Sequence, residues 1–212
     1  MVQAIAVVPS MDLKEKGRCP VAEVLLFHHA HGLTSGVRDF AETLRGAGHT
    51  VHLPDLYDGH VFEDLEAGID YARSVGFGTI MERGRLAADG LPVELVYGGF
   101  SLGVMSAQML AQTRAGARGA LLFHACLPTD EFGGAWPQGV PVQIHGMEAD
   151  PFFADEGDLD AARALVASTN DAELFLYPGD KHLFADDSLP SFDEHAAMLL
   201  MKRTLDFLGG LA

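Results

Sequence analysis

One short stretch of this chain constrains its fold more than any other. Residues 93–103 read V-E-L-V-Y-G-G-F-S-L-G, in which a β-rich apolar run meets glycines and then Ser101. Residues 102–113 have helix-forming composition, so the stretch predicts a strand, a sharp turn and a helix. Residues 99–103 fit G-x-S-x-G, a turn that exposes a serine above a sheet. The glycines suit this turn because side chains there would clash with the strand and the helix.

Strand and helix signals alternate along the rest of the chain. Strands are predicted at residues 3–8, 21–27, 50–53, 93–97, 119–126, 140–145 and 172–177. Helices are predicted from a cap at Ser35 to Gly46, at residues 61–74, 79–88, 102–113 and 159–168, and from a capping box at 191–194 to Leu208. Helices between strands imply right-handed crossovers. We therefore predict an α/β fold with a mostly parallel central sheet, helices on both faces and no separate lid domain.

Length, charge and cysteine content limit the class of protein. A chain of 212 residues with 48% hydrophobic residues suits one domain, 1–212. The formal net charge of -16 argues against nucleic acid or an anionic membrane as partner, and no apolar run approaches the roughly 20 residues that span a bilayer. Cys19 and Cys126, the only cysteines, favour a reducing, cytoplasmic setting. We expect a monomer or homodimer that acts on a small molecule.

Three residues follow predicted strands in an order that indicates nucleophilic catalysis. Parallel sheets carry their sites beyond the carboxyl ends of the strands, where Ser101, Asp150 and His182 lie. The histidine would take the serine proton, and the aspartate would fix the imidazole tautomer and its positive charge. Each residue alone is typical of a turn or a solvated loop, but their joint placement predicts a catalytic triad. Asp155 and Glu148 are the alternative carboxylates.

A triad also needs two donors for the oxyanion of the tetrahedral intermediate. The backbone N–H of Leu102 is one, favoured by the N-terminal end of its helix. The second is expected in the loop after the strand at 21–27, at Ala30 by position, with His31 as the alternative.

Side chains near the strand ends could form a substrate pocket. The loop histidines His29 and His31 are candidates for substrate contact, and together with His28 they raise the alternative of a metal site. No further carboxylate or histidine stands at a ligand spacing nearby, so a polar loop lining without metal or cofactor is predicted. Ordinary core packing is the alternative for each aromatic residue that could line an apolar pocket. These are Tyr57, Trp136, Phe152, Phe153 and Phe184.

Four segments give the chain a resemblance to a known family. They are P-D-L-Y at 54–57, G-F-S-L-G at 99–103, H-G-M-E-A-D-P at 145–151 and G-D-K-H-L-F at 179–184. Together they resemble the dienelactone hydrolase family of α/β-hydrolases from about residue 21 to 208. The resemblance implies a compact hydrolase without a lid, using a nucleophile, a histidine and an aspartate on esters or lactones. Its triad falls on Ser101, Asp150 and His182.

The chain also departs from the pattern of that family. The dienelactone hydrolases proper carry cysteine where this chain has Ser101, a glutamate where it has His29, and a substrate-holding arginine where it has Asp186. The connection that carries another arginine is shortened around residues 58–65. An anionic dienelactone would therefore meet a negative protein without its clamps.

We thus expect a serine hydrolase that cleaves small carboxylic esters, lactones or thioesters through an acyl-enzyme on Ser101. The alternative is a noncatalytic α/β-hydrolase-like protein that binds a small ligand.

Overall fold

The computed structural model describes residues 21–211, which contain one six-stranded sheet. Its strands are β1 (Glu23–Phe27), β2 (Thr50–His52), β3 (Val96–Phe100), β4 (Gly119–Phe123), β5 (Val142–Met147) and β6 (Ala172–Tyr177). The strand order is β2-β1-β3-β4-β5-β6, and every neighbouring pair is parallel. The predicted parallel α/β fold is confirmed. The strand predicted at 3–8 lies outside the described residues.

Helices cover both faces of the sheet. They are α1 (Ser35–Gly46), α2 (Leu65–Val75), α3 (Phe77–Ala87), α4 (Leu102–Thr113), α5 (Pro151–Ala154), α6 (Asp158–Ser168) and α7 (Glu194–Gly210), with a 3₁₀ turn at Thr129–Phe132. Alternate strand residues point to opposite faces. In β1, Leu25 and Phe27 join a core with α3, α4 and α6, whereas Val24 and Leu26 join a second core with α1 and α7. No helix among residues 21–211 is long and apolar enough to cross a membrane.

Three helix starts differ from prediction because another side chain supplies the cap. Thr34, rather than Ser35, caps α1 by accepting a hydrogen bond from the Val37 N–H. Asp193 caps α7, so the capping box predicted at 191–194 is wrong. Asp64 caps α2, so residues 61–64 are not helical.

Three strands end two or more residues from their predicted ends. β5 runs from Val142 to Met147 rather than over residues 140–145. β3 runs from Val96 to Phe100 rather than over residues 93–97, and its glycines allow close packing: Gly98 lies against the Leu26 side chain of β1, and Gly99 lies against the backbone of α4 at Gly103. β4 ends at Phe123, since His124 has a positive φ of 65° that breaks the extended backbone.

The carboxyl ends of the parallel strands meet at one edge of the sheet. There, β1 is followed by the His28 loop, β3 by Ser101, β4 by His124, and β5 and β6 by the loops that carry Asp150 and His182. This edge therefore collects the polar side chains of five separate strand ends.

Candidate active site

The turn between β3 and α4 holds Ser101 in a strained conformation. Its φ of 47° and ψ of -112° are rare for a residue with a side chain. A Cβ on Gly99 would lie 2.4 Å from the Gly103 oxygen, and one on Gly103 would lie 2.6 Å from the Phe27 oxygen. The Ser101 N–H donates to the Phe123 oxygen at 2.7 Å. The backbone thus packs too closely around Gly99 and Gly103 for any residue other than glycine at either position.

Hydrogen bonds join the three predicted triad residues in a chain. The Ser101 Oγ lies 2.9 Å from His182 Nε2, and His182 Nδ1 lies 2.7 Å from Asp150 Oδ2. Asp150 is fully buried, and its other oxygen accepts the Phe152 N–H at 3.0 Å. With the proton of a neutral His182 on Nδ1, the imidazole donates to the carboxylate and accepts from the serine hydroxyl. The residue pairing with His182 is therefore Asp150 rather than Glu148 or Asp155.

The two residues predicted to supply oxyanion donors lie at the same cavity as Ser101. Ala30 and Leu102 both line that cavity. The His31 N–H, the alternative donor, is directed instead to His29 Nδ1 at 3.3 Å. This contact favours Ala30 as the second donor.

Hydrogen bonds hold the loop after β1 at each of its histidines. His28 Nε2 accepts the Leu56 N–H at 3.0 Å, and its Nδ1–H donates to the His29 oxygen at 2.8 Å. Burial lowers the pKa of His28 to about 4, so this ring is neutral. His31 Nδ1–H donates to the Phe62 oxygen at 2.9 Å. Within residues 21–211, no three side chains of the metal-ligating types are grouped to hold a metal ion.

The cavity above Ser101 has a volume of about 760 Å³ and an acidic lining. Its apolar lining residues are Ala30, Leu65, Ile69, Phe77, Leu102, Ala125 and Phe152. Its charged lining residues are Asp64, Glu66, Glu156, Asp158 and Arg73. Arg73 forms an ion pair with Asp70 at 2.9 Å, so its charge is partly compensated. A ligand in this cavity therefore meets more carboxylate than guanidinium charge.

Most of the predicted pocket residues do not line this cavity, which corrects the sequence expectation. Phe152 is in the lining, with its ring centroid 4.7 Å from that of His182. The others lie in the interior or bond to neighbouring loops: His29, His31, Tyr57, Trp136, Phe153 and Phe184. Tyr57 donates its hydroxyl to the Gly68 oxygen, and Phe184 packs edge-on against His124. A position after a strand fixes where the backbone runs, but not where the side chain points.

A match to a family profile shows which protein family this chain belongs to. The profile of the dienelactone hydrolase family matches residues 11–211. The chain belongs to the dienelactone hydrolase family. It is therefore a hydrolase of the α/β type with a small-molecule substrate, and the resemblance carried by its four segments is confirmed at this level. A comparison with curated proteins gave no match.

Solved structures share the fold of this dienelactone hydrolase family member. A dienelactone hydrolase-like promiscuous phosphotriesterase from metagenomic libraries has a TM-score of 0.73 and 21% identity, covering 93% of this chain and 89% of that one. Esterase 2 of Thermogutta terrifontis, phosphonylated by cyclosarin, has a TM-score of 0.66 and 18% identity over 91% and 83% of the two chains. A cold-adapted esterase from an Arctic intertidal metagenomic library has a TM-score of 0.62 and 17% identity over 90% and 82%. At these identities the likeness is one of fold.

Two cavity residues of this family member escaped the sequence analysis. Burial raises the pKa of Asp158 to about 6, with Glu156 adding to the rise, while the Cys126 N–H bond opposes it. His124 is buried, its ring centroid lies 5.9 Å from that of His182, and neither ring nitrogen has a hydrogen-bond partner within residues 21–211. Burial lowers the pKa of His124 well below its ordinary value. His124 follows β4 directly, so the strand-end rule that selected Ser101 could have found it.

Proposed function

We propose that this protein is a serine hydrolase that cleaves small carboxylic esters, lactones or thioesters. The proposal rests chiefly on one observation, the hydrogen-bonded chain from Ser101 through His182 to Asp150 at the floor of an open cavity. A serine hydroxyl is a weak nucleophile at neutral pH, and a neutral imidazole within hydrogen-bond distance is the group that activates it. A binding protein would need no such chain.

In the acylation step, Ser101 Oγ attacks the carbonyl carbon of the ester and His182 Nε2 takes the hydroxyl proton. The buried Asp150 carboxylate stabilises the imidazolium that forms. The carbonyl oxygen becomes an oxyanion, which accepts hydrogen bonds from the N–H groups of Leu102 and Ala30. The bond to the leaving oxygen or sulfur then breaks, and the leaving group takes the proton from His182.

In the deacylation step, water takes the place of the leaving group. His182 removes a proton from the water, whose oxygen attacks the acyl carbon, and the oxyanion forms again at the same donors. Collapse of this intermediate breaks the bond to Ser101 Oγ, which regains its proton from His182. The products are a carboxylic acid and the free enzyme.

Serine is favoured over the other nucleophile that this chain contains nearby. Burial raises the pKa of Cys126 to about 12, so its thiol stays protonated and inert. The carboxylates of Asp64, Glu66 and Glu156 in the cavity lining oppose an anionic substrate and favour a neutral one.

A fluorophosphonate probe tests the proposal directly, because it forms a stable adduct only with an activated serine. We expect one adduct, located by mass spectrometry on Ser101, and hydrolysis of short-chain p-nitrophenyl esters. Ser101→Ala should abolish both. Ser106→Ala is the matched control, since it removes another buried hydroxyl of α4 without touching the cavity.

An unlabelled but folded wild-type protein would contradict the proposal and turn the search toward ligand binding without turnover. Ester hydrolysis that survives in Ser101→Ala would contradict the assignment of the nucleophile.

A further inference from the structure

A buried pair of side chains, His29 and Asp186, lies beside the proposed active site and takes no part in the mechanism above. His29 Nε2 lies 2.7 Å from Asp186 Oδ2, and the two side chains are 0% and 1% exposed. The carboxylate also accepts the Thr34 hydroxyl at 2.6 Å, and the N–H and hydroxyl of Ser188 at 2.9 and 2.6 Å. Because the buried Asp186 carboxylate has this many hydrogen bonds, it restricts the movement of both the loop after β1 and its own loop.

The hydrogen bonds of His29 fix its tautomer. The His31 N–H donates to His29 Nδ1 at 3.3 Å, so Nδ1 has no proton in the neutral ring. The proton is on Nε2, which donates to Asp186. A chain of hydrogen bonds therefore runs from a carboxylate through an imidazole to the backbone of the loop after β1.

Hydrogen bonds hold the peptide planes on both sides of Ala30, and the chain from Asp186 through His29 holds the plane that follows it. The His31 N–H is bonded to His29, while a Cβ on Gly68 would lie 2.0 Å from the Ala30 oxygen, so that plane is fixed at both ends. In the preceding plane, the His29 oxygen accepts His28 Nδ1–H and the Gly32 N–H. Among the described residues, the Ala30 N–H is the one polar group of these two planes with no hydrogen bond or close backbone neighbour, and Ala30 lines the cavity.

The pair also joins two loops of the site. His29 belongs to the loop that carries Ala30, and Asp186 lies four residues after His182. A movement of either loop would therefore stretch the bond between the imidazole and the carboxylate.

We infer that His29 and Asp186 are positioning residues that orient the Ala30 N–H as an oxyanion donor. This inference rests on the proposed hydrolase function. Its effect is specific to the tetrahedral state, because the oxyanion donor stabilises that state more than the bound ester.

Two amide substitutions separate the contacts of His29. His29→Gln keeps a donor near Asp186 but has no acceptor for the His31 N–H, whereas His29→Asn keeps the acceptor and loses the donor. Removing one oxyanion donor costs roughly 100-fold or more in kcat. His29→Gln should only displace the donor, so we expect its kcat to fall by about 10- to 100-fold. KM should stay close to the wild-type value. His29→Asn should recover part of the loss, and Asp186→Asn should lose activity because the imidazole tautomer is no longer fixed.

The distinguishing measurement is the inhibition constant of an alkyl boronic acid, whose adduct with Ser101 is tetrahedral. It should rise in His29→Gln by about the factor by which kcat falls. Tyr97→Phe is the matched control, since it removes a hydrogen bond of a buried side chain to Arg114 at the other end of β3. The control should change thermal stability only.

If folded His29→Gln and Asp186→Asn both kept the wild-type kcat and the wild-type boronate affinity, the inference would be overturned and the hydrolase function would still stand. A wild-type protein that neither reacts with fluorophosphonate nor hydrolyses esters would instead reject the proposed function. If His29→Gln fails to fold, the inference requires His29→Asn to keep more activity than Asp186→Asn. If Asp186→Asn fails to fold, it requires His29→Asn to keep more activity than His29→Gln.

Discussion

Replacing Gly68 by alanine would put a methyl group where the backbone of the loop after β1 lies. A Cβ on this residue of α2 would lie 2.0 Å from the Ala30 oxygen and 2.7 Å from its carbonyl carbon. Since C···O contacts need about 3.3 Å, the carbonyl must retreat by about 1.3 Å. The displaced atoms belong to the residue that we propose as an oxyanion donor.

The expected losses of stability and of activity differ in size. Alanine gains about 1 kcal/mol over glycine within a helix, and overpacking costs about 1–3 kcal/mol. The free energy of unfolding should therefore fall by no more than about 2 kcal/mol, which lowers Tm by up to about 8 °C in a chain of this size. A misplacement of about 1 Å can cost 100-fold in turnover. Gly68→Ala should thus lose activity far beyond its loss of stability.

The assay is kcat for a p-nitrophenyl ester beside thermal unfolding followed by circular dichroism. Gly78→Ala is the control, because this glycine of α3 is exposed and a Cβ there would meet nothing within 4 Å. It should keep wild-type turnover and should not lower Tm. A folded Gly68→Ala protein with wild-type kcat would refute the reasoning.

Two further predictions concern the triad and the pH dependence of stability. Asp150→Asn should lower kcat by about 10⁴-fold, the loss seen when a triad aspartate is replaced, because the amide no longer holds the correct tautomer of His182. Wild-type turnover in that variant would mean that another carboxylate orients the histidine. Burial, with the nearby Arg203 charge, lowers the pKa of His145 to about 3, so between pH 6.5 and 3 the unfolded chain binds a proton that the folded one does not. Stability should therefore fall on acidification, and His145→Gln should reduce the loss between pH 7 and 5 by about 2 kcal/mol in urea unfolding, whereas an unchanged pH dependence would count against a neutral buried imidazole.

The sequence was sufficient for the sheet and for the residues of the hydrogen-bonded chain. Apolar runs bounded by glycine and proline predict the strands, and the strand-end rule selects Ser101, Asp150 and His182 from the sequence alone. Both predictions depend only on where the backbone of a strand begins and ends. The exact ends were harder, as at β4, because histidine adopts a positive φ in only a small share of its occurrences and its residue type does not show that His124 does so.

The walls of the cavity could not be predicted in the same way. They depend on how α2 crosses the sheet edge, and the close approach of Gly68 to Ala30 is a tertiary contact between distant segments. The bond between His29 and Asp186 joins residues 157 positions apart. Each was recognised in the sequence as a departure from the family pattern, but nothing in the sequence indicated that the two departures contact each other.

Helix α2 buries only two of its residues, and this has a consequence for how the protein could acquire new substrates. Among the residues of α2, Gly68 and Ala72 are buried, whereas Leu65, Ile69 and Arg73 face the cavity with part of their surface exposed. Surface positions tolerate substitution with little change in stability. Random mutation can thus reshape one wall of the site while the strand ends that hold Ser101 and His182 stay intact. Laboratory evolution toward bulkier esters should therefore accumulate its first changes on this helix.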